Sequence, residues 1–324
     1  MGALYLALPP REEWGKVKSS FTEADYRLLP VMMALLISFF TLKAYRWKLL
    51  LKPIRELTTW QVTPAMMIGF AFNNLLPAHL GEFVRVFVLG KQYDLPKTPV
   101  LSTVVLERIL DIIAILSLLG ISLLFIDDMP EEAKQGSVVF AAVSFCGVIV
   151  LGLYMAFTKQ FVAFTRSVLN RLNFIPEKLR SGVLGMLESG AVGLESVKDP
   201  KLLLLIAITS FAQWLANGLM IYVSLRSFGV SIDVTHALLV MGVTAIGVTV
   251  PSSPGYFGVI QWCFKISLVP LGYDGPRVFA ASIYYHMCQW IPVTTTGLAF
   301  LSKVGLSFSD VRREATAEQI KVPA

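Results

Sequence analysis

The chain has 324 residues, of which 55% are hydrophobic and only 15% charged, and its mean hydropathy is +0.65. Soluble domains keep about a quarter of their residues charged, so a soluble globular fold is excluded. Long apolar runs that do not alternate also exclude a β-barrel. The formal charge of +6 comes from Lys and Arg gathered in loops beside apolar runs, which is membrane topology rather than a nucleic-acid surface.

In chain order, MGALYLALPP is too short and lacks the basic start of a cleavable signal peptide. Five runs then read as full spans of about 20 residues or more: 28–50, 98–126, 136–157, 201–226 and 277–301. Two further apolar regions, 60–90 and 236–271, are each broken by a Pro-x-x-x-Gly: PAHLG (77–81) and PSSPG (251–255). The segment 158–200 is basic, and its apolar spacing (Phe161, Phe164, Val168, Leu172) suggests a helix lying on the membrane surface. Cys146, Cys263 and Cys288 lie in apolar runs without metal-ligand spacing, and read as packing residues.

Loop charge sets the orientation, since Lys and Arg favour the cytoplasmic side. Lys43, Arg46, Lys48, Lys52 and Arg55 put the end of the first span inside, and the acidic 127–135 loop lies outside. Region 60–90 therefore begins and ends inside, as a re-entrant hairpin with PAHLG at its tip. By the same reasoning region 236–271 enters and leaves from outside, with PSSPG at its tip. The alternative lets both interrupted regions cross fully. The basic residues near the N-terminus fit poorly with its outside placement.

The expected fold is an all-α polytopic membrane protein, 1–324 as one transmembrane domain, built as an inverted repeat. Each half is span–re-entrant hairpin–span: the first repeat at 28–126 and the inverted second at 201–301. Between them lie a connecting span (136–157) and a cytoplasmic amphipathic segment (158–200), and a cytoplasmic tail (302–324) follows. Inverted repeats with broken helices are how many transporters build a midplane site.

The breaks carry the chemistry. Pro77 and Gly81 free backbone groups that lipid does not tolerate, and Asn73, Asn74 and His79 are placed to bond them. Glu82 and Arg85 follow, three apart on one helix face. At the second tip, between Pro251 and Gly255, Ser252 and Ser253 are positioned to cap the next helix, with Pro254 at its first position. In the second full span, 98–126, VVLERILDIIAIL puts Glu107 nine residues in, about 14 Å along the helix. Arg108 adjoins it and Asp111 lies one turn on. Charges at that depth each cost roughly 3 kcal/mol and must be paired. The expected pairs are Arg108 with Asp111 and Arg85 with Glu107 or Glu82, with Lys265 completing a neutral sum. A buried ion-pair network that only pins helices together is the plain alternative. His286, nine residues into the last span, matches the depth of Glu107, with Gln289 one turn on. Gln213 and Asn217 face the same interior. No zinc-protease spacing, phosphate loop or Gly-x-Ser-x-Gly is present, so no enzyme activity, cofactor or metal is expected.

NNLLPAHLGEFVR, VVLERILDIIA, VPSSPGYFGVIQ and YYHMCQWIP, in that order, resemble the lysylphosphatidylglycerol synthase transmembrane-region family, also called flippase-like integral membrane proteins. The likeness runs from about Ala44 to Gly297. It implies a multi-pass protein of the cytoplasmic (inner) membrane of a bacterium or archaeon, moving a lipid between leaflets. Synthesis of the aminoacyl lipid is not implied, because in those relatives a separate soluble domain performs it. Two departures stand out: His79 sits where the family usually has arginine, and the family's usual first span is missing or shortened here to MGALYLALP.

The resulting expectation is a lipid translocase whose tips form a polar midplane cavity. Arg46, Arg85 and Arg108 attract phosphate. Glu82, Glu107 and Asp111 balance them and bind an amine or exchange protons, and Ser252 and Ser253 offer hydroxyls. The partners expected are a membrane lipid, a separate lipid-synthesising enzyme and a second copy of the chain, and not nucleic acid. The rival readings are a proton- or ion-coupled small-solute transporter, a membrane-embedded lipid-modifying transferase, and a scaffold.

Overall fold

A computed structural model of the chain describes residues 7–76, 80–126, 145–146, 149–150, 157–171, 177, 180, 184–185, 200–249, 254–309, 311 and 313–314. The described residues are helical and contain no strand. Ten helices organise them: α1 (Trp14–Glu23), α2 (Leu29–Leu51), α3 (Thr59–Leu75), α4 (Gly81–Tyr93), α5 (Lys97–Leu124), α6 (Thr158–Arg171), α7 (Pro200–Ser227), α8 (Val234–Gly247), α9 (Val259–Leu268) and α10 (Gly275–Lys303). The connecting span expected at 136–157 falls almost wholly outside the described residues.

Sequence explains three of the boundaries directly. Thr58 and Gln61 form a reciprocal capping box that starts α3. Asp274 accepts from the Arg277 N–H at 2.9 Å to start α10. Asp94, at φ 50, closes α4 in the left-handed conformation.

Lengths divide the helices into two classes. At 1.5 Å per residue, α2, α5, α7 and α10, with 23, 28, 28 and 29 residues, run about 35 to 44 Å. The helices of the interrupted regions, α3, α4, α8 and α9, have 17, 13, 14 and 10 residues and run about 15 to 26 Å, less than a hydrocarbon core of about 30 Å. Two stretches, Tyr26–Leu51 and Lys201–Ser227, are long and apolar enough by composition to cross a bilayer. Helices α5 and α10 match them in length but carry the polar groups of the site.

The packing is pairwise. Helix α2 lies along α7, α3 along α10, and α8 along α5, while α3 pairs with α4 and α8 with α9. Close approach needs small residues. A Cβ on Gly81 would overlap the Gly69 carbonyl oxygen and the Asn73 side chain, and a Cβ on Gly297 would overlap the Met67 carbonyl oxygen. Bulkier residues at these points would force α3 away from α4 and α10. The apolar core between the pairs includes Trp47, Phe72, Met220 and Phe264, all fully buried.

Helix α1 was not anticipated from sequence. It packs on α10 through Trp14 against Phe279, and Phe21 stacks edge-on against Phe228. Cys263 is buried and Cys288 half-buried as expected of packing residues, but Cys146 is exposed.

Candidate functional site

The charged residues of α2, α4 and α5 meet in one network. Glu107 and Asp111, one turn apart on α5, both face Lys43, at 3.1 and 3.0 Å. Arg46 donates to Asp111 Oδ1 at 2.6 Å and to Ser210 at 2.9 Å. Arg85 donates to Glu107 Oε2 at 3.0 Å and lies 3.4 Å from Glu82. Arg108 lies 2.8 Å from Glu82 Oε1. Gln213 and Trp214 from α7 also donate to Asp111 Oδ1, at 2.6 and 2.9 Å. The guanidinium of Arg85 sits over the Trp47 ring, 5.0 Å from its centroid, and Trp47 donates to Thr103. Lys43, Arg46, Arg85, Glu107 and Asp111 are each at most 3% exposed. Such burial is tolerable only with this density of partners.

The pairing differs from the expected one in three respects. Arg108 pairs with Glu82, not Asp111, because Asp111 is already saturated by α2 and α7. Lys265 takes no part in these ion pairs. Lys43, which sequence reasoning treated as a loop charge, enters from α2 together with Arg46. Four cations therefore face three carboxylates, an excess of one positive charge rather than a neutral sum. The signal for Lys43 was available: Lys43 and Arg46 are three apart, on one face of an otherwise apolar run.

Beside the network lies a cavity of about 300 Å³. Its wall takes Lys43, Glu82, Arg108 and Asp111 from the first half, and Asn217, Thr244, His286 and Gln289 from the second. Phe39, Phe70, Trp214, Tyr256 and Trp290 supply aromatic surface. Of the three arginines expected to meet a phosphate, only Arg108 reaches the wall. Arg46 and Arg85 stand behind it, held by Asp111 and Glu107.

The second half contributes a neutral chain of hydrogen bonds. Gly258 N–H donates to Gln261 Oε1 at 2.8 Å. Gln261 Nε2 lies 3.2 Å from His286 Nδ1, and His286 Nε2 lies 2.8 Å from the Gly255 carbonyl oxygen. A carbonyl only accepts, so His286 carries its proton on Nε2 and accepts from Gln261 on Nδ1. Both ring nitrogens are used, which makes His286 a fastening for the second break rather than an open ligand. Gln261, which sequence reasoning missed, is the link. Gly255 is buried at φ 68, with Trp290 Nε1 and the Asn74 carbonyl oxygen 2.8 and 3.0 Å from where its Cβ would lie. The two breaks thus abut at Asn74 and Gly255.

Other expected residues fall as follows. Asn73 Oδ1 accepts from the Gly81 N–H at 2.7 Å, bonding the first break as anticipated. Asn74 donates to Thr294 at 3.0 Å. Asn217 accepts from Tyr285 at 3.1 Å. Pro254 lies in a 3-10 turn (Pro254–Tyr256), and α9 begins only at Val259, because Gly255 and Gly258 adopt positive φ and break the helix. Pro77, His79, Pro251, Ser252 and Ser253 lie outside the described residues.

An all-helical membrane protein with a charged, aromatic-lined cavity between its helices is the class this geometry defines. The chain belongs to the family described as the lysylphosphatidylglycerol synthase TM region, whose profile matches residues 1–297. It is 26% identical to a UPF0104 membrane protein of Methanocaldococcus jannaschii, over 69% of this chain and 90% of that protein. It is 24% identical to a UPF0104 membrane protein of Methanothermobacter thermautotrophicus, over 96% and 94%. It is 21% identical to a Haloferax volcanii protein named glycosyltransferase AglD, over 93% of this chain but 52% of that protein. No solved structure matches the chain.

Proposed function

We propose that the protein is a multi-pass lipid translocase of the cytoplasmic membrane. A polar headgroup would pass through the cavity while its acyl chains stay in the bilayer. In this reading α3–α4 and α8–α9 are re-entrant hairpins entering from opposite faces, in two inverted repeats. Two features support that architecture: the four short helices, and the pairing of the long ones. Exchanging α2–α5 for α7–α10 turns each packed pair into another packed pair: α3 with α10 becomes α8 with α5, and α2 lies on α7.

The observation that carries the functional reading is the cavity wall. Ionisable groups from one half and amides and hydroxyls from the other surround about 300 Å³ of space, among aromatic rings. A polar headgroup needs such a route, since uncompensated charge in lipid is expensive. The family's lipid-related name points the same way. A separate lipid-synthesising enzyme would supply the substrate, and the reading assigns no bond-making chemistry to this chain. Proton-coupled solute transport is the less favoured alternative, because every carboxylate of the network has a cation within 3.0 Å, which leaves it poorly placed to take up protons.

Reconstitution into vesicles carrying acyl-labelled phospholipids tests the proposal, with a membrane-impermeant quencher reading leaflet exchange. Exchange faster than in empty vesicles is expected. Solute uptake with unchanged lipid sidedness would favour the transporter, and a new lipid product by mass spectrometry would favour a transferase.

A further inference from the structure

Past α10 the chain turns back onto the first half of the molecule. Gly305, at φ 68, closes α10: its N–H donates to the Ser302 carbonyl at 3.2 Å, and the Leu306 N–H donates to the Leu301 carbonyl at 3.4 Å. A helical bond follows, from the Val311 N–H to the Ser307 carbonyl at 3.1 Å, and it sets Phe308 and Val311 on one face. That face is docked. Phe308 stacks on Phe72 of α3, with 4.6 Å between centroids and 21° between planes, and Val311 is wholly buried. Glu314 then reaches Lys97 at the start of α5, at 3.9 Å. Lys97 in turn lies over the Phe87 ring of α4, 5.5 Å from its centroid. The segment therefore ties α3 to the start of α5 beside α4, and it lies beyond the residues that the family profile matches.

Phe72 is the point where this contact reaches the site. On α3 its neighbours Phe70, Asn73 and Asn74 line the cavity, whereas Phe72 is fully buried off the cavity wall, against Phe308. Asn73 also holds the Gly81 N–H across the first break. Moving that break relative to α10 would draw Phe72 from under Phe308. The contact is small enough to release: a half-buried ring, a buried valine, and an ion pair whose side chains are each 43% exposed, a kind of pair that contributes little. Inverted-repeat carriers work by rocking one bundle against the other, and a segment that runs from α10 onto α3 opposes such a motion. We infer that residues 305–314 form a strap that holds the α3–α4 pair in the arrangement seen here, and that undocking the strap frees the pair to move. The inference rests on the translocase reading only for its consequence for lipid, since the fastening does not depend on what the cavity carries.

Two measurements on the full chain separate the parts. Phe308→Ala combined with Val311→Ala undoes the strap. In detergent, amide hydrogen exchange in this variant is about tenfold faster over 305–314, the change in opening that a half-buried aromatic ring controls. It is also faster over 69–76 and 80–85, on either side of the first break, and unchanged over 210–225 of α7. In vesicles, acyl-labelled phospholipid changes leaflet about tenfold faster than with the unaltered chain. The converse test uses the unaltered chain. A carbodiimide condenses the Glu314 carboxylate with the Lys97 amine into an amide, leaving as its urea, and peptide mass spectrometry verifies the bond. Lipid movement then slows, whereas Glu314→Gln treated in the same way keeps its rate. Faster amide exchange confined to 305–314, with the α3–α4 pair and lipid movement unaffected, overturns the inference, because the segment would then restrain nothing. A coupled chain that moves lipid at the uncoupled rate overturns it as well. Faster amide exchange on both sides of the break, without lipid movement by any form of the chain, sustains the strap and sinks the translocase reading. Should the double variant fail to fold, amide exchange in the coupled chain carries the same test: slower exchange over 69–76 and 80–85 supports the strap, and unchanged exchange there refutes it.

Discussion

The two halves of the molecule fasten their broken regions by different means. In the first, Arg85 at the start of α4 is clamped to Glu107, and Asp111 on the same α5 face is held by Lys43, Arg46, Gln213 and Trp214. In the second, the fastening seen among the described residues is a chain of neutral groups: α10 holds its break through His286, Gln261 and the backbone of Gly255 and Gly258. The lesson is that equal depth does not imply equal chemistry. Glu107 and His286 sit nine residues into their runs, yet one is an ion and the other a neutral link. Charge concentrated on one side gives the cavity a polarity that a symmetric pair of ionic tips would lack.

The sharpest way to break this comparison is to remove one anion. Asp111→Leu takes one of two carboxylates from Lys43 and the 2.6 Å partner from Arg46, leaving both buried cations to share Glu107, and removing one partner of a buried pair costs about 3–5 kcal/mol. A large drop in thermal midpoint, read in detergent by fluorescence, is the expected result. A change within 0.5 kcal/mol, a rough bound for ordinary surface substitutions, would mean the network is wetter and less decisive than its burial implies. Next comes close packing, which serves both halves. Gly297→Ala drives a methyl into the Met67 carbonyl region and the Ala71 side chain, and overpacking of this kind costs about 1–3 kcal/mol. Sequence alone could not supply this, since nothing marks Gly297 as the contact of α10 with α3.

The neutral half should yield less. His286→Phe leaves the Gly255 carbonyl and the Gln261 amide unpaired, at about 1–3 kcal/mol for a buried polar group so abandoned. If the chain of bonds acts as a unit, adding Gln261→Leu costs less than the two losses summed. Strict additivity would separate His286 from Gln261 and reduce it to packing.

Much of this was legible in the chain. The apolar runs located the long helices α2, α5, α7 and α10 to within a few residues, and Pro and Gly marked both breaks. Depth counting found Glu107 and Asp111, because a charge within an apolar run must have a partner. Partner choice was not legible. Pairing depends on which helices pack together, and α2 against α7 delivers Lys43, Arg46, Gln213 and Trp214 to one carboxylate. Arg108 was misassigned for the same reason: one position along a helix is a rotation of about 100°, which turns it from the α2–α7 side toward Glu82. Gln261 and α1 escaped because a lone amide and a short amphipathic stretch carry no strong pattern.

The smallest effect belongs to the rim. Glu23 at the end of α1 lies 3.7 Å from Arg277 at the start of α10, with side chains 64% and 45% exposed. An exposed pair of this kind contributes about 0–1 kcal/mol and weakens with salt. Glu23→Ala should therefore shift the thermal midpoint by little, and less still at high ionic strength. Helix α1 is held instead by Trp14 on Phe279 and Phe21 on Phe228, edge-on at 6.0 and 5.2 Å between centroids. Such aromatic pairs are worth about 0.5–1.5 kcal/mol beyond the area they bury. Phe21→Ala should then loosen α1 more than Glu23→Ala does, read as faster amide exchange over residues 14–23. The reverse order would make the first helix an electrostatic attachment, and would extend the ionic character of the molecule beyond its first half.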